Sequence, residues 1–492
     1  MIGLVTLSFY NFGTHLLQNM KKFLFTVSLI ICSLFAMAQY DISFSSNVQY
    51  GKAFMAYYMG KNLNVQDSAV IPSSGTVRFV NKEKVPGGIY TIVFGNNKFS
   101  ADFLLTSNAK LKIISDTTDL SRTNISGNED NVIFTQYQNF VAEKGKLLGA
   151  ERRAYEMSTT RQDSATHEAN YIKLNSELNA YRQNLIDTKP TAMISGLLVG
   201  MKGGPLPVKQ AYNTADSLEN FLFYKAHYWD DFAFNDERLV RTPFFIPRLE
   251  NYYRVVMQQM PSDSIIEDID YKLLLARTAP EMYKYLLNWL TDEYINPKYM
   301  GQDAVFVHLF QKYHSQGLSS WLNDKQMKTI TDRAYMQMSN LIGVKAANLK
   351  MMNWREQPTS LYDTKGDYTL LLFWDPTCGH CKQELPRIDS IYNANWKAKG
   401  LKIFAVLSEN QHPLWLSYIK ENKLEDWTHV YQTAAMIEQE KNSAVPGFRQ
   451  LFDVIQTPTM LLLDADKNII AKKLSIEQLN EFLKVKTLKG KN

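Results

Sequence analysis

The spacing of hydrophobic and polar positions changes twice along the chain, near residue 128 and near residue 343. Between 39 and 127 it has a period of two. Val77 and Phe79 alternate with Thr76 and Arg78, a Pro-Gly-Gly turn at 86–88 leads into IYTIVF, and FLLTSNAKLKIIS (103–115) reads as two strands about a Ser-Asn turn. This predicts a small β-sandwich. From 128 to 342 the period becomes helical: Phe134, Tyr137, Phe140 and Val141 recur on one face, and SATHEANYIKLNSELNAYRQNLI and LNDKQMKTITDRAYMQMSNLI hold neither Gly nor Pro. An all-α domain is expected there, with breaks at Lys189-Pro190, at GGPLP (203–207) and at Met260-Pro261. Over 343–492 strands and helices alternate. DYTLLLFW (367–374) and LKIFAVL (401–407) read as strands, the segment after Cys378 and LWLSYIKENK (414–423) as helices, TMLLLDADKNIIAKKL (459–474) as a hairpin and SIEQLNEFL (475–483) as a closing helix. That order predicts an α/β domain.

The N-terminus departs from this scheme. Met20-Lys21-Lys22, the apolar run Phe23–Phe35 and Ala36-Met37-Ala38 form the basic, hydrophobic and small-x-small parts of a secretory signal, with cleavage expected after Ala38. The apolar run is shorter than the ~20 residues of a membrane span. Residues 1–19 read as a start assigned too early. The expected mature protein begins at Gln39 and is soluble in the periplasm or cell envelope. Loss of Lys21 and Lys22 lowers the formal charge from +5 to +3, and with both signs interspersed there is no basic block of the kind nucleic acid requires. Cys32 lies inside the apolar run after Ile31, where lipid attachment would call for a small residue, so it leaves with the signal.

Cys378 and Cys381 then remain as the cysteines of the mature chain, in FWDPTCGHCKQELP (373–386). Exported proteins stapled by disulfides carry several pairs, and one close pair is better suited to chemistry. Zinc would need two more nitrogen or sulfur ligands, and only His380 is local; His167, His227, His308 and His314 stand far apart without metal-ligand spacing. A redox pair is the preferred reading. Cys378 is placed where a strand gives way to a helix, so unpaired N–H groups and the helix dipole favour its thiolate. Cys381, one turn deeper, can resolve a mixed disulfide formed at Cys378. The segment HYWDDFAFNDERLVRTPFF (227–245) reads as an aromatic core with a solvated acidic edge.

These residues resemble the thioredoxin-fold thiol-disulfide oxidoreductases, in particular the exported TlpA/ResA-like branch, over roughly 343–485. Trp374 precedes the motif, Pro386 follows Cys381 by five residues, and Thr457-Pro458-Thr459 matches the cis-proline loop that packs on the dithiol and touches substrate. The resemblance implies a Cys378–Cys381 disulfide in the oxidised form, with electrons carried by the dithiol and no cofactor. It implies client proteins with thiols or disulfides, a membrane thiol-electron donor, and reductase work of the kind used in cytochrome c maturation. Leu372 stands where cytoplasmic thioredoxins keep a buried aspartate, whereas Glu384 matches the carboxylate of the exported branch and is expected to assist proton transfer at Cys381. His380 replaces the proline of Cys-Gly-Pro-Cys; with Trp374 it should tune the site toward potentials above the roughly −270 mV of thioredoxin, toward the isomerase's −180 mV. Asp375 and Pro376 depart from the pattern, which leaves substrate preference open. The β and helical segments resemble uncharacterised modules fused to such domains in envelope proteins. Two other functions stay open: a binding or scaffold protein using the upstream domains, and a thiol peroxidase, for which Pro376-Thr377-Cys378 has the wrong spacing.

Overall fold

A computed structural model of the chain describes residues 40–59, 62–83, 85–106, 109–207, 209–443 and 445–489, with side chains up to 485; the expected signal segment, Cys32 and the cleavage site lie outside the described residues. The chain forms two compact units, one running to Gln258 together with Leu275–Tyr283, the other made of Gln259–Leu274 and Lys284 onward. Among the described residues no helix is long and apolar enough to cross a membrane.

The first unit opens with eight strands: β1 (Tyr40–Ser46), β2 (Lys52–Met59), β3 (Asn62–Val70), β4 (Thr76–Asn81), β5 (Gly88–Phe94), β6 (Phe99–Leu105), β7 (Ala109–Ser115) and β8 (Asn124–Ser126). They form two four-stranded sheets, in the orders β4-β1-β7-β8 and β3-β2-β5-β6. In β7 the alternation is strict, with Ala109, Leu111 and Ile113 inward and the lysines between them outward. Ile42, Phe79 and Ile113 of one sheet and Met55, Ile92 and Phe103 of the other meet in one buried cluster. The strands expected around residues 107–108 pair in different sheets, β6 with β5 and β7 in parallel with β1. Crossing between sheets lets both strands turn their apolar faces to the same core.

Two long helices follow, Glu129–Met157 and Arg161–Thr188. Asn128 and Thr160 cap them by accepting from the N–H groups of Asn131 and Asp163, and the second ends just before Lys189-Pro190. In the 227–245 segment Tyr228, Phe232, Phe234 and Phe245 are buried, the rings of Phe232 and Phe245 stack at 5.3 Å, and exposed Asp230 bonds His227. That is an aromatic core with an acidic edge.

In the second unit β9 (Lys350–Asn353), β10 (Pro358–Ser360), β11 (Tyr368–Trp374), β12 (Leu401–Leu407), β13 (Thr428–Tyr431), β14 (Thr459–Leu463) and β15 (Ile469–Lys472) form one sheet in the order β10-β9-β13-β12-β11-β14-β15. From Leu370 to Trp374 the strand β11 is an unbroken apolar run because helices and loops cover both of its faces. Leu370, Leu372 and Trp374 enter a core with Leu385, Ile388, Trp415 and Leu479, while Leu371 and Phe373 enter another with Phe448, Phe452 and Val454. The antiparallel register Phe373↔Thr459 sets the start of β14 beside the end of β11. Thr457-Pro458 therefore lies next to the turn that follows Trp374.

At the end of β15 the Lys472 ammonium is buried against the Asp303 carboxylate, and it donates to the carbonyl and side-chain oxygens of Asn340 at 2.6 and 2.5 Å. Burial pushes its pKa down and Asp303 pulls it back. This pair ties helix Asp303–Leu309 to the sheet. Removing one member of such a pair leaves a buried charge alone, which costs ~3–5 kcal/mol, whereas an apolar replacement of both members costs little. Asp303→Ala should therefore lower stability by about that amount in urea unfolding, and Asp303→Leu combined with Lys472→Met by much less. Equal losses in the two proteins would show that the ion pair does not anchor this helix.

Candidate active site

The turn Asp375-Pro376-Thr377 joins β11 to helix Gly379–Ile391. Asp375 Oδ1 accepts from the Thr377 N–H at 2.7 Å and from the Thr377 hydroxyl, and the Asp375 carbonyl accepts from the Cys378 N–H at 3.2 Å. These bonds fix where the helix starts. Cys378 is its N-cap: the backbone is extended there, and Sγ accepts from the Cys381 N–H at 3.4 Å, taking a role usually filled by Ser or Asp. The same sulfur donates to the Thr457 carbonyl at 3.2 Å. The Thr457-Pro458 peptide is cis.

Two residues, Gly379 and His380, separate two very different thiols. Cys378 is half-buried; Cys381 is 1 % exposed and packs among Trp374, Leu385 and Ile388; neither sulfur is bonded to another. Partial burial opposes ionisation of Cys378, but hydrogen bonds from the Thr457 side chain and from the Cys381 and His380 N–H groups outweigh it and hold its pKa below the usual thiol value. Burial pushes Cys381 up to about 12, against the hydrogen bond of the Asp375 N–H to its sulfur. The site thus pairs a thiol that ionises more readily than usual with one that burial keeps protonated.

Trp374 is fully buried beside Tyr418, with ring centroids 5.3 Å apart, and near His429 at 6.0 Å. Burial lowers the His429 pKa to about 4, so the imidazole is neutral and its Nε2 donates to the Leu424 carbonyl at 2.9 Å. His380 is exposed, and its link to the Cys378 sulfur runs through its backbone N–H. Glu384 is half-buried on the next turn and accepts from Arg387 at 2.8 Å rather than meeting the Cys381 sulfur. Pro386 lies within the helix, and Leu372 is in the dry core. The four separated histidines each have a local partner: His167 with Glu151, His227 with Asp230, His308 with Asp270, and His314 between Thr291 and Ser319. Among the described residues no group of three or more potential metal ligands gathers.

The residue missed by the sequence reading is Asp375. It is 2 % exposed, its N–H serves the Cys381 sulfur, and its Oδ2 is buried without a hydrogen-bond partner. An unsatisfied buried oxygen costs roughly 1–3 kcal/mol, more when charged, so it calls for a functional account. The only signal in the sequence was an acid directly after the apolar run at 370–374.

The AhpC/TSA family model matches residues 342–473. The sporulation thiol-disulfide oxidoreductase A of Bacillus subtilis (strain 168) is 30% identical over 123 residues, 24% of this chain and 67% of that protein. The thiol-disulfide oxidoreductase ResA of Bacillus thuringiensis subsp. konkukian is 26% identical over 146 residues, 29% of this chain and 77% of that protein. Of the solved structures, a thioredoxin-like protein from Bacteroides caccae covers 58% of this chain and 99% of its own at 21% identity and a TM-score of 0.45. A domain of a possible thiol-disulfide isomerase from Cytophaga hutchinsonii covers 30% of this chain and 97% of its own at 36% identity and a TM-score of 0.27.

The split in thiol acidity has a direct readout. Alkylation of the reduced protein by iodoacetamide should modify Cys378 first, with its rate rising through a pH below the ~8.5 of a free cysteine. Thiolate absorbance should report one group up to pH 10. Two groups titrating together, or Cys381 labelled first, would reverse the assignment.

Proposed function

We propose that this chain, which belongs through its C-terminal domain to the thioredoxin-like thiol-disulfide oxidoreductases, works as an exported reductase of protein disulfides. The observation that carries the reading is the pairing of an acidified, half-exposed Cys378 with a buried, protonated Cys381 one helical turn away. The Cys378 thiolate attacks one sulfur of a client disulfide, forming a mixed disulfide and releasing the other client sulfur as thiolate, which takes a proton. Cys381 then loses its proton and attacks Cys378, which frees the second client thiol and leaves the Cys378–Cys381 disulfide. Two electrons pass to the client. A membrane thiol donor returns them, in the manner used for cytochrome c maturation.

The slow proton is the one on Cys381. Two carboxylates stand near it in sequence: Glu384, one turn along and engaged by Arg387, and Asp375, whose Oδ2 is buried without a hydrogen-bond partner and whose backbone bonds that sulfur. Asp375 is taken as the acceptor because its second oxygen is unengaged, with Glu384 in support. Thr457 and Pro458 form the surface against which the client chain lies. Trp374 keeps water from Cys381, and His380 favours the reduced form through its N–H.

Residues 20–38 are read as the export signal and the periplasm as the working compartment, with Gln39 as the mature N-terminus. The two upstream sheets, read as a β-sandwich, and the helical segment supply surface rather than redox chemistry. The AhpC/TSA match keeps a peroxidase in view; consumption of hydrogen peroxide at a rate matching insulin reduction would favour it.

Insulin reduction with dithiothreitol as donor should vanish in Cys378→Ser. Cys381→Ser should instead accumulate mixed disulfides with clients. If either variant keeps wild-type turnover, the dithiol is not the working centre. Proton transfer by a positioned base contributes on the order of 10²-fold. Asp375→Asn should therefore slow resolution of the mixed disulfide by about that factor, and Glu384→Gln by far less; the opposite ranking would return the role to Glu384. In His380→Pro the N–H to the Cys378 sulfur is lost while the first helical turn tolerates the proline. The reduction potential against glutathione should fall by ~30 mV or more, the equivalent of ~1.4 kcal/mol. An unchanged or higher potential would shift the tuning to Trp374 or Asp375.

A further inference from the structure

A cavity of about 500 Å³ opens beside the Thr457-Pro458 loop. Pro458 forms part of its wall, one residue from the carbonyl that accepts from Cys378, so the cavity adjoins the loop on which the dithiol packs. Pro297 and Arg333, which precede the α/β domain in sequence, line it as well.

The charges around the cavity do not cancel at its rim. Arg333 is held by Asp453 through both terminal nitrogens, one at 3.1 Å, and Lys472 is buried against Asp303 and Asn340. Lys473 is left. Its ammonium lies 4.0 Å from Asp453, whose carboxylate already serves Arg333, and 35 % of its side chain is exposed. The lining also carries apolar side chains, Pro297, Leu474 and an Ile455 that is 66 % exposed, among polar ones such as Gln456 and Ser475. An extra cation beside uncovered apolar surface complements an acidic side chain with an apolar neighbour.

We propose that this cavity is a client-selecting subsite: it receives residues flanking the reactive cysteine of a client protein and prefers an acidic one, held by Lys473, over a basic one. This rests on the oxidoreductase reading above and adds a substrate class to it. The helical wall gives the selection a geometry that the dithiol and its proline loop lack alone.

The test uses the full chain and two disulfide-bonded peptides that differ by Glu or Lys next to an apolar residue beside the cysteine, with neutral hydroxyethyl disulfide as the reference. Wild type should reduce the Glu peptide about fivefold faster in kcat/KM, the size of one partly screened charge pair. That ratio should shrink in high salt. Lys473→Gln should bring it close to one and Lys473→Glu below one, and because each variant is judged by a ratio of two peptides, a partial loss of folded protein does not imitate the effect. A wild-type ratio of one, or a ratio untouched by Lys473→Gln, overturns the subsite and leaves the redox reading standing. No turnover of hydroxyethyl disulfide by wild type overturns the redox reading and the subsite with it.

Discussion

The join between β11 and the helix that follows it governs everything else in the site. With both faces of β11 buried in separate cores, a slip of one residue would exchange Leu371 and Phe373 for Leu372 and Trp374 and disrupt both. The end of the strand is thereby fixed, and the Asp375 bonds to Thr377 fix the turn after it. Cys378 has no freedom about where it sits. It falls on the last extended residue, facing the N–H groups of the first helical turn, and Cys381 falls one turn in, facing the Trp374 core. Two chemically identical side chains acquire opposite acidities because a strand end and a helix start differ in water and in free donors.

Buried charge is handled in two ways in this unit. Lys472 and Asp303 are both desolvated, each finds its countercharge in the other, and Lys472 donates to Asn340 as well, so the pair holds a helix against the sheet. Asp375 is as deeply buried, yet one of its oxygens has no partner. In this residue Oδ1 holds the turn through Thr377 while Oδ2 is spare, and the spare oxygen is the basis of the acceptor role proposed for it.

What the sequence made legible follows from what local patterns can encode. The strands β11 and β12, the β14–β15 hairpin and the helix at Cys378 are long or strongly periodic and fall where their patterns place them. The strands β9, β10 and β13 have three or four residues each, too few for a period to register. Glu384 shows the limit within a single helix: its spacing from Cys381 suggests contact, but Arg387, at the same spacing on the other side, takes its carboxylate. The link from Lys472 to Asp303 spans 169 positions and leaves no local trace. Asp375 was visible as a residue and hidden as a role, because the burial that matters comes from the packing around it.

The two lysines at the end of β15 connect stability with selection. Successive side chains at a strand end point to opposite sides. Lys472 turns inward to Asp303, and Lys473, whose backbone adopts a positive φ of 57°, turns the chain out of the sheet and leaves its ammonium at the cavity rim. The anchor that holds the helical wall and the charge that faces a client are neighbours in sequence with separate partners. A change at residue 473 can alter which clients are favoured while the buried pair at 472 continues to hold the wall in place. On the subsite proposal, this separation gives the helical segment a physical reason to accompany the dithiol: it lines the cavity beside the proline loop.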